Sequence, residues 1–146
     1  MKHYLTSIII IFMLIVLGTG CAGPQPSPAN GGAVTDYTSL VDGLRAAGAT
    51  VEPAGEISQP FFSVKGNAIN VNGENVQVFE YADADQAEAE AALVSPDGSS
   101  IGTTMASWVA APHFYKTGKL IVLYVGNDAS VSSVLEAVLG SQFAGR

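Results

Sequence analysis

The chain has 146 residues, a formal net charge of −7 and one cysteine. A lone cysteine excludes a disulfide framework within the chain. The acidic balance, with no long basic stripe, excludes the electrostatic footprint of a nucleic-acid binder.

The N-terminal segment reads as a secretory leader. Lys2 and His3 form a short polar head, and Leu5 to Leu17 is an almost unbroken apolar run. It is short for a transmembrane helix, which needs about 20 apolar residues. Small residues follow, in the order Gly18-Thr19-Gly20, immediately before Cys21. Charged start, apolar stretch and small-residue cleavage site are the three parts of a signal peptide. This segment resembles a bacterial lipoprotein signal peptide. The resemblance implies cleavage before Cys21, acylation of that residue, and a place on the extracytoplasmic face of a bacterial envelope. Gly18 stands where that family has Leu, and Leu17 comes one place early. Two other readings stay open: an uncleaved membrane helix, or a conventional signal that releases a free protein.

Loss of residues 1–20 takes Lys2 with it and moves the charge from −7 to −8. An anionic lipid surface repels such a domain, so the lipid on Cys21 has to hold it there. Residues 21–35 continue as a Pro- and Gly-rich stretch with almost nothing that enters a core. They read as a flexible tether spanning roughly 20 Å. Residues 36–146 then form one domain, and roughly 110 residues suffice for a core without disulfides or metal.

Asp36 to Ala47 is an expected helix, with Tyr37, Leu40, Val41 and Leu44 on one face. Thr35 or Asp36 caps its start and Gly48 closes it. Gly43 inside it points to a close neighbour. Short strands are expected at Ala49 to Glu52 and, beyond the turn-rich Pro53-Ala54-Gly55, at Phe61 to Val64. The clearest β signal is Ala68 to Val71 and Asn75 to Tyr81 around Asn72-Gly73, because both turn residues tolerate positive φ. Apolar groups on both faces of Asn75 to Tyr81 indicate a central strand, or an aromatic surface left for a partner.

A second helix runs from Asp83 to Leu93, with Asp83 and Gln86 spaced as a capping box and an acidic outer face. Ser95-Pro96-Asp97-Gly98 is a turn, Ser99 to Thr104 a polar loop, and Met105 to Val109 an expected strand. Phe114 to Lys116 and Lys119 to Val125 form a second hairpin around Thr117-Gly118. Leu120 to Val125 is wholly apolar and belongs deep in a sheet. Ser130 to Leu139 is a third helix, capped by Ser130 and ended by Gly140. The expected fold is α+β: a mainly antiparallel curved sheet with three helices packed against it. The domain as a whole resembles small bacterial lipoproteins without an assigned activity.

No motif names a reaction. His113 is the one histidine of the domain, and no nucleophile elbow surrounds any serine. A lone histidine among aromatics reads as structural, so no catalytic residue is assigned. Glu80, Asp83 and Asp85 lie close in sequence but fall on different elements, and no metal or cofactor is assigned. The hydroxyl-rich stretch from Ser95 to Thr104 lacks the lysine of a phosphate loop. Eight aromatic residues between Phe61 and Tyr124 are mostly core. Trp108, His113 and Tyr115 are the candidate recognition surface, since such side chains suit partly polar interfaces. The expected function is a membrane-anchored, non-enzymatic interaction domain meeting an envelope protein or the cell wall. A small-ligand binder with an apolar pocket between sheet and helices is the alternative, and a hydrolase comes third.

Cys21→Ala is expected to abolish incorporation of labelled fatty acid and to change membrane fractionation. A variant that still takes up label refutes the lipoprotein reading.

Overall fold

The computed structural model describes residues 33–146. Cys21 and the expected signal segment lie outside the described residues. The elements are α1 (Tyr37–Ala46), β1 (Val51–Ile57), β2 (Gly66–Val71), β3 (Glu74–Glu80), α2 (Ala84–Ala91), β4 (Ser100–Ile101), β5 (Thr104–Met105), β6 (Pro112–Thr117), β7 (Leu120–Val125), α3 (Ala129–Leu139) and β8 (Ala144–Gly145). Six strands form one sheet in the order β1-β2-β3-β7-β6-β8, and β4 pairs with β5 apart from it. Every pairing in the six-stranded sheet is antiparallel, so the domain is α+β.

The apolar period of the central strands divides the core in two. Val76 and Val78 of β3 and Leu120, Val122 and Tyr124 of β7 face the layer formed by α1 and α3. Phe79, Ile121 and Leu123 face the opposite way, toward Ala87 and Ala91 of α2. Side chains alternate across a strand, so a strand apolar on both faces needs cover on both. The aromatics of β3 are therefore core: Phe79 and the adjoining Tyr81 are buried.

Local chemistry explains most boundaries. Asp36 caps α1 by accepting from Ser39 N at 2.8 Å, and the Ser39 hydroxyl accepts from Asp36 N at 3.0 Å. The carboxylate of Glu80 accepts from Tyr37 N at 3.1 Å and pairs with Lys119 at 2.7 Å. A negative group at the positive start of a helix is favourable, and here it also ties α1 to one end of the sheet. Gly43 faces α3; a Cβ there would come within 3.1 Å of Val138. Asn72 and Gly73 both have positive φ, as the hairpin between β2 and β3 requires.

Four expectations are corrected. Asp128, not Ser130, caps α3, because its carboxylate accepts from Ser130 N at 2.7 Å and from Val131 N at 3.3 Å. Phe61 to Val64 is not a strand: Phe62 N bonds Gln59 O in a turn, and the Phe62 ring packs on Phe79 with centroids 4.6 Å apart. The apolar run is a plug for the core. The first strand runs on through Pro53-Ala54-Gly55, with a register shift between Pro53 and Gly55. It is an edge strand, where a missing N–H is tolerated. Of Met105 to Val109, Met105 alone lies in a strand, paired with Ser100.

Gly66 of β2 leaves no room for a side chain, since a Cβ would sit 2.7 Å from Val78 O and 2.8 Å from the Phe79 ring. Gly66→Ala is expected to destabilise the domain by about 1–3 kcal/mol, the usual range for overpacking. Urea unfolding measures it; an unchanged midpoint would mean that β2 and β3 can part without cost.

Candidate functional site

The structure does not bring Trp108, His113 and Tyr115 together. Tyr115 is fully buried under α3 and is core. Its pKa is raised, chiefly by burial. Its hydroxyl completes no hydrogen bond of normal geometry, although Ser132 is near enough to favour the ionised form. His113 is half-buried on the same strand, with its ring stacked on Tyr124 at 5.6 Å. Its Nδ1 lies 2.7 Å from Gln142 Oε1 and its Nε2 lies 3.1 Å from Gly126 O. A neutral imidazole satisfies both contacts once the Gln142 amide turns its NH2 to Nδ1. His113 thus links β6 to the segments on either side of α3, a structural clasp with both ring nitrogens engaged.

Trp108 belongs to the other face of the sheet, among Phe61, Phe114 and Phe143. Its position is fixed from two directions. Nε1 donates to Gly98 O at 2.7 Å, and the rings of Phe61 and Phe114 stand nearly perpendicular to the indole, each with centroids 5.9 Å away. Edge-to-face contacts favour this arrangement because the ring edge is positive and the face negative. Gly98 in turn is held by a turn built on Asp97. That carboxylate accepts from Ser99 N at 3.1 Å, from the Ser99 hydroxyl at 2.8 Å and from the Ser95 hydroxyl at 2.9 Å. Gly98 has φ +70, and a Cβ there would come within 2.9 Å of the Phe114 ring. Glycine is needed here for backbone angle and for space alike.

Two open clefts meet at Trp108. One, of about 350 Å3, is lined by Asp97, Ser99, Ala106, Ala110, Pro112 and Arg146, among others. The Arg146 guanidinium lies 3.7 Å from the Asp97 carboxylate, so this side is charged. The other cleft measures about 410 Å3 and contains no charged side chain. Gln77 and Val125 form its sheet floor; Gln59 to Phe61 and Thr104 to Val109 form its walls. Gln59 Nε2 donates to Gln77 Oε1 at 2.8 Å. On the rim Met105 is 78% exposed and Val109 is 100% exposed. The sequence showed Trp108 but not Phe61, Met105 or Val109 as its companions. Their grouping depends on two loops far apart in the chain. Both segments have strand-like composition, and that composition hides their meeting over one cleft.

Among the described residues no three His, Cys, Asp or Glu side chains group as a metal site, and no helix is long and apolar enough to cross a membrane. Comparison of the chain with protein-family models, with curated proteins and with solved structures gives no match.

The Asp97 turn supplies a pH test. Hydrogen bonds from the Ser99 backbone and hydroxyl, then from Ser95, hold the Asp97 carboxyl down to about 2, below its ordinary 3.8. A depressed folded-state pKa stabilises the fold above the ordinary value, and that contribution is lost as pH falls through the folded value. Urea midpoints at about pH 5 and about pH 2.5 should therefore differ less in Asp97→Asn than in the parent. Asp36 and Asp128, also lowered by local hydrogen bonds, keep part of the acid sensitivity in both. Equal differences would show that the turn does not depend on its carboxylate.

Proposed function

We propose that the chain is a bacterial envelope lipoprotein whose domain acts by contact rather than by catalysis. Acyl chains on Cys21 hold it to the extracytoplasmic face of a membrane. Its partner is an envelope protein or the cell wall. The observation that carries this reading is the exposed apolar cluster of Met105 and Val109 beside Phe61 and Trp108. Single exposed apolar residues are ordinary, but several around one cleft mark an interaction surface.

The position of the cluster supports the same reading. The chain enters the domain at Val34 and Thr35, next to Gly118 in the β6–β7 hairpin. Val34, inside the stretch expected as a tether, packs against the α1 and α3 layer. The cleft lies at Val125, the other end of β7. Five residue steps of strand separate these ends by about 17 Å. A tether arriving at the hairpin leaves the cleft on the side away from the lipid. The bulge between Pro53 and Gly55 supports the expected curvature of the sheet, since bulges bend the strand that carries them.

A small-ligand reading has one observation in its favour. A cleft of about 410 Å3 falls within the roughly 300–1,000 Å3 typical of ligand sites. It lies between sheet and loops rather than between sheet and helices.

The test is crosslinking in native cells with the full chain and with a Met105→Ser, Val109→Ser double variant. Both residues are exposed, so the unfolding free energy should change by no more than about 0.5 kcal/mol. The crosslinked species should weaken markedly in the variant. Undiminished crosslinking would remove this surface as the contact.

A further inference from the structure

We infer that the uncharged cleft beside Trp108 is a binding site for a neutral saccharide. This rests on the contact reading above and names the chemistry of the partner as the glycan of a cell wall. The cleft joins apolar surface on Phe61, Met105, Trp108 and Val109 to a polar floor made by an amide pair. A sugar ring has the same division. Its C–H face is weakly positive and packs on an aromatic face, while its hydroxyls lie around the edge.

The amide pair is suited to hydroxyls in particular. The bond from Gln59 Nε2 to Gln77 Oε1 uses one donor and one acceptor site. Gln59 Oε1 remains an acceptor, and Gln77 Nε2 remains a donor. Neighbouring sugar hydroxyls each donate and accept, so they match both. Thr104 and Ser107 add hydroxyls along the wall.

Other ligand classes fit less well. A purely hydrocarbon ligand would cover the amides without pairing them, which costs free energy. An anion meets no cation within the cleft, and the chain as a whole carries a net charge of −7. A cation meets no carboxylate there. An extended peptide could not add as a strand, because the floor residues lie on β3 and β7, interior strands already paired on both sides.

The one tryptophan of the chain is Trp108, which lines both clefts, so its emission reports binding and the Gln59 and Gln77 variants assign it to the uncharged cleft. The full chain in detergent micelles is titrated with the tetramer of N-acetylglucosamine and with maltotetraose. A saturable change in emission and protection from acrylamide quenching are expected with at least one of them. Gln77→Ala and Gln59→Ala should each weaken binding about tenfold, the effect of one lost hydrogen bond. Gln59 is on a loop, so its variant tests the site even if Gln77→Ala perturbs the sheet. No saturable change with either saccharide, or equal affinity in a folded Gln59→Ala, overturns the inference. A photo-crosslinker at position 109 separates the two proposals. Capture of a protein there without saccharide binding overturns the glycan and leaves the contact reading standing. Neither capture nor saccharide binding overturns both.

Discussion

The burial of β7 on both faces is the constraint from which the rest of the domain follows. Leu120 to Tyr124 are all buried, and β3 and β6 pair with the strand on either side. Its backbone groups are satisfied by those neighbours, but its side chains demand apolar cover above and below. A sheet with one wet face would leave Ile121 and Leu123 in water, at a cost of about 1.5–3 kcal/mol for each such side chain. Three layers are the answer, and the connections on both sides of the sheet are shaped by that need.

The two covers differ in kind. On one face α1 and α3 supply Leu40, Leu44, Val131, Leu135 and Leu139, large side chains on helical stripes. On the other face α2 has eight residues and buries Ala87 and Ala91. Alanine fills little volume, so loop aromatics complete this layer: Phe62 on Phe79, Trp108 on Phe114. Close packing of interiors demands that the gap be filled, but loops do it unevenly. The cleft over Gln77 and Val125 lies where the loop cover parts. Its polar floor belongs to the same strand that buries Phe79 two residues later.

The rigidity of that second layer comes from hydrogen bonds rather than from regular structure. The Asp97 carboxylate organises Ser95 and Ser99, the turn presents Gly98 O, and that carbonyl takes the indole N–H. Pro96 O accepts from Gly145 N, which ties the same turn to β8. A recognition residue is useful when its rotamer is already chosen before the partner arrives, because less entropy is lost on binding. Trp108 meets that condition although it lies outside any strand.

Much of the fold was legible in the residues. The first and third helices show apolar periods, Asp36 and Asp83 are legible caps, and Asn72-Gly73 is a local turn signal that acts through backbone angles alone. Leu120 to Val125 announced a buried strand by composition. The boundaries that failed share a cause. Pro53-Ala54-Gly55 has turn chemistry, yet an edge position tolerates it in β1. Phe61 to Val64 and Met105 to Val109 have strand-like composition, yet the six-stranded sheet has no place for them; Phe61, Phe62, Val64, Ala106 and Trp108 pack over one of its faces while Val109 stays exposed. The candidate site was legible only in Trp108. His113 and Tyr115 lie five and seven residues further along the chain, and nothing in that spacing tells which face of a sheet each will take. By itself the sequence determined most of the local elements and the acidic balance, since these depend on composition and near neighbours. Tertiary structure alone decided that Tyr115 is core, that His113 is a clasp, and that Trp108 meets Phe61 beside a cleft floored by Gln77 and Val125. Those contacts join residues dozens of positions apart, and strand pairing and two-sided burial choose them.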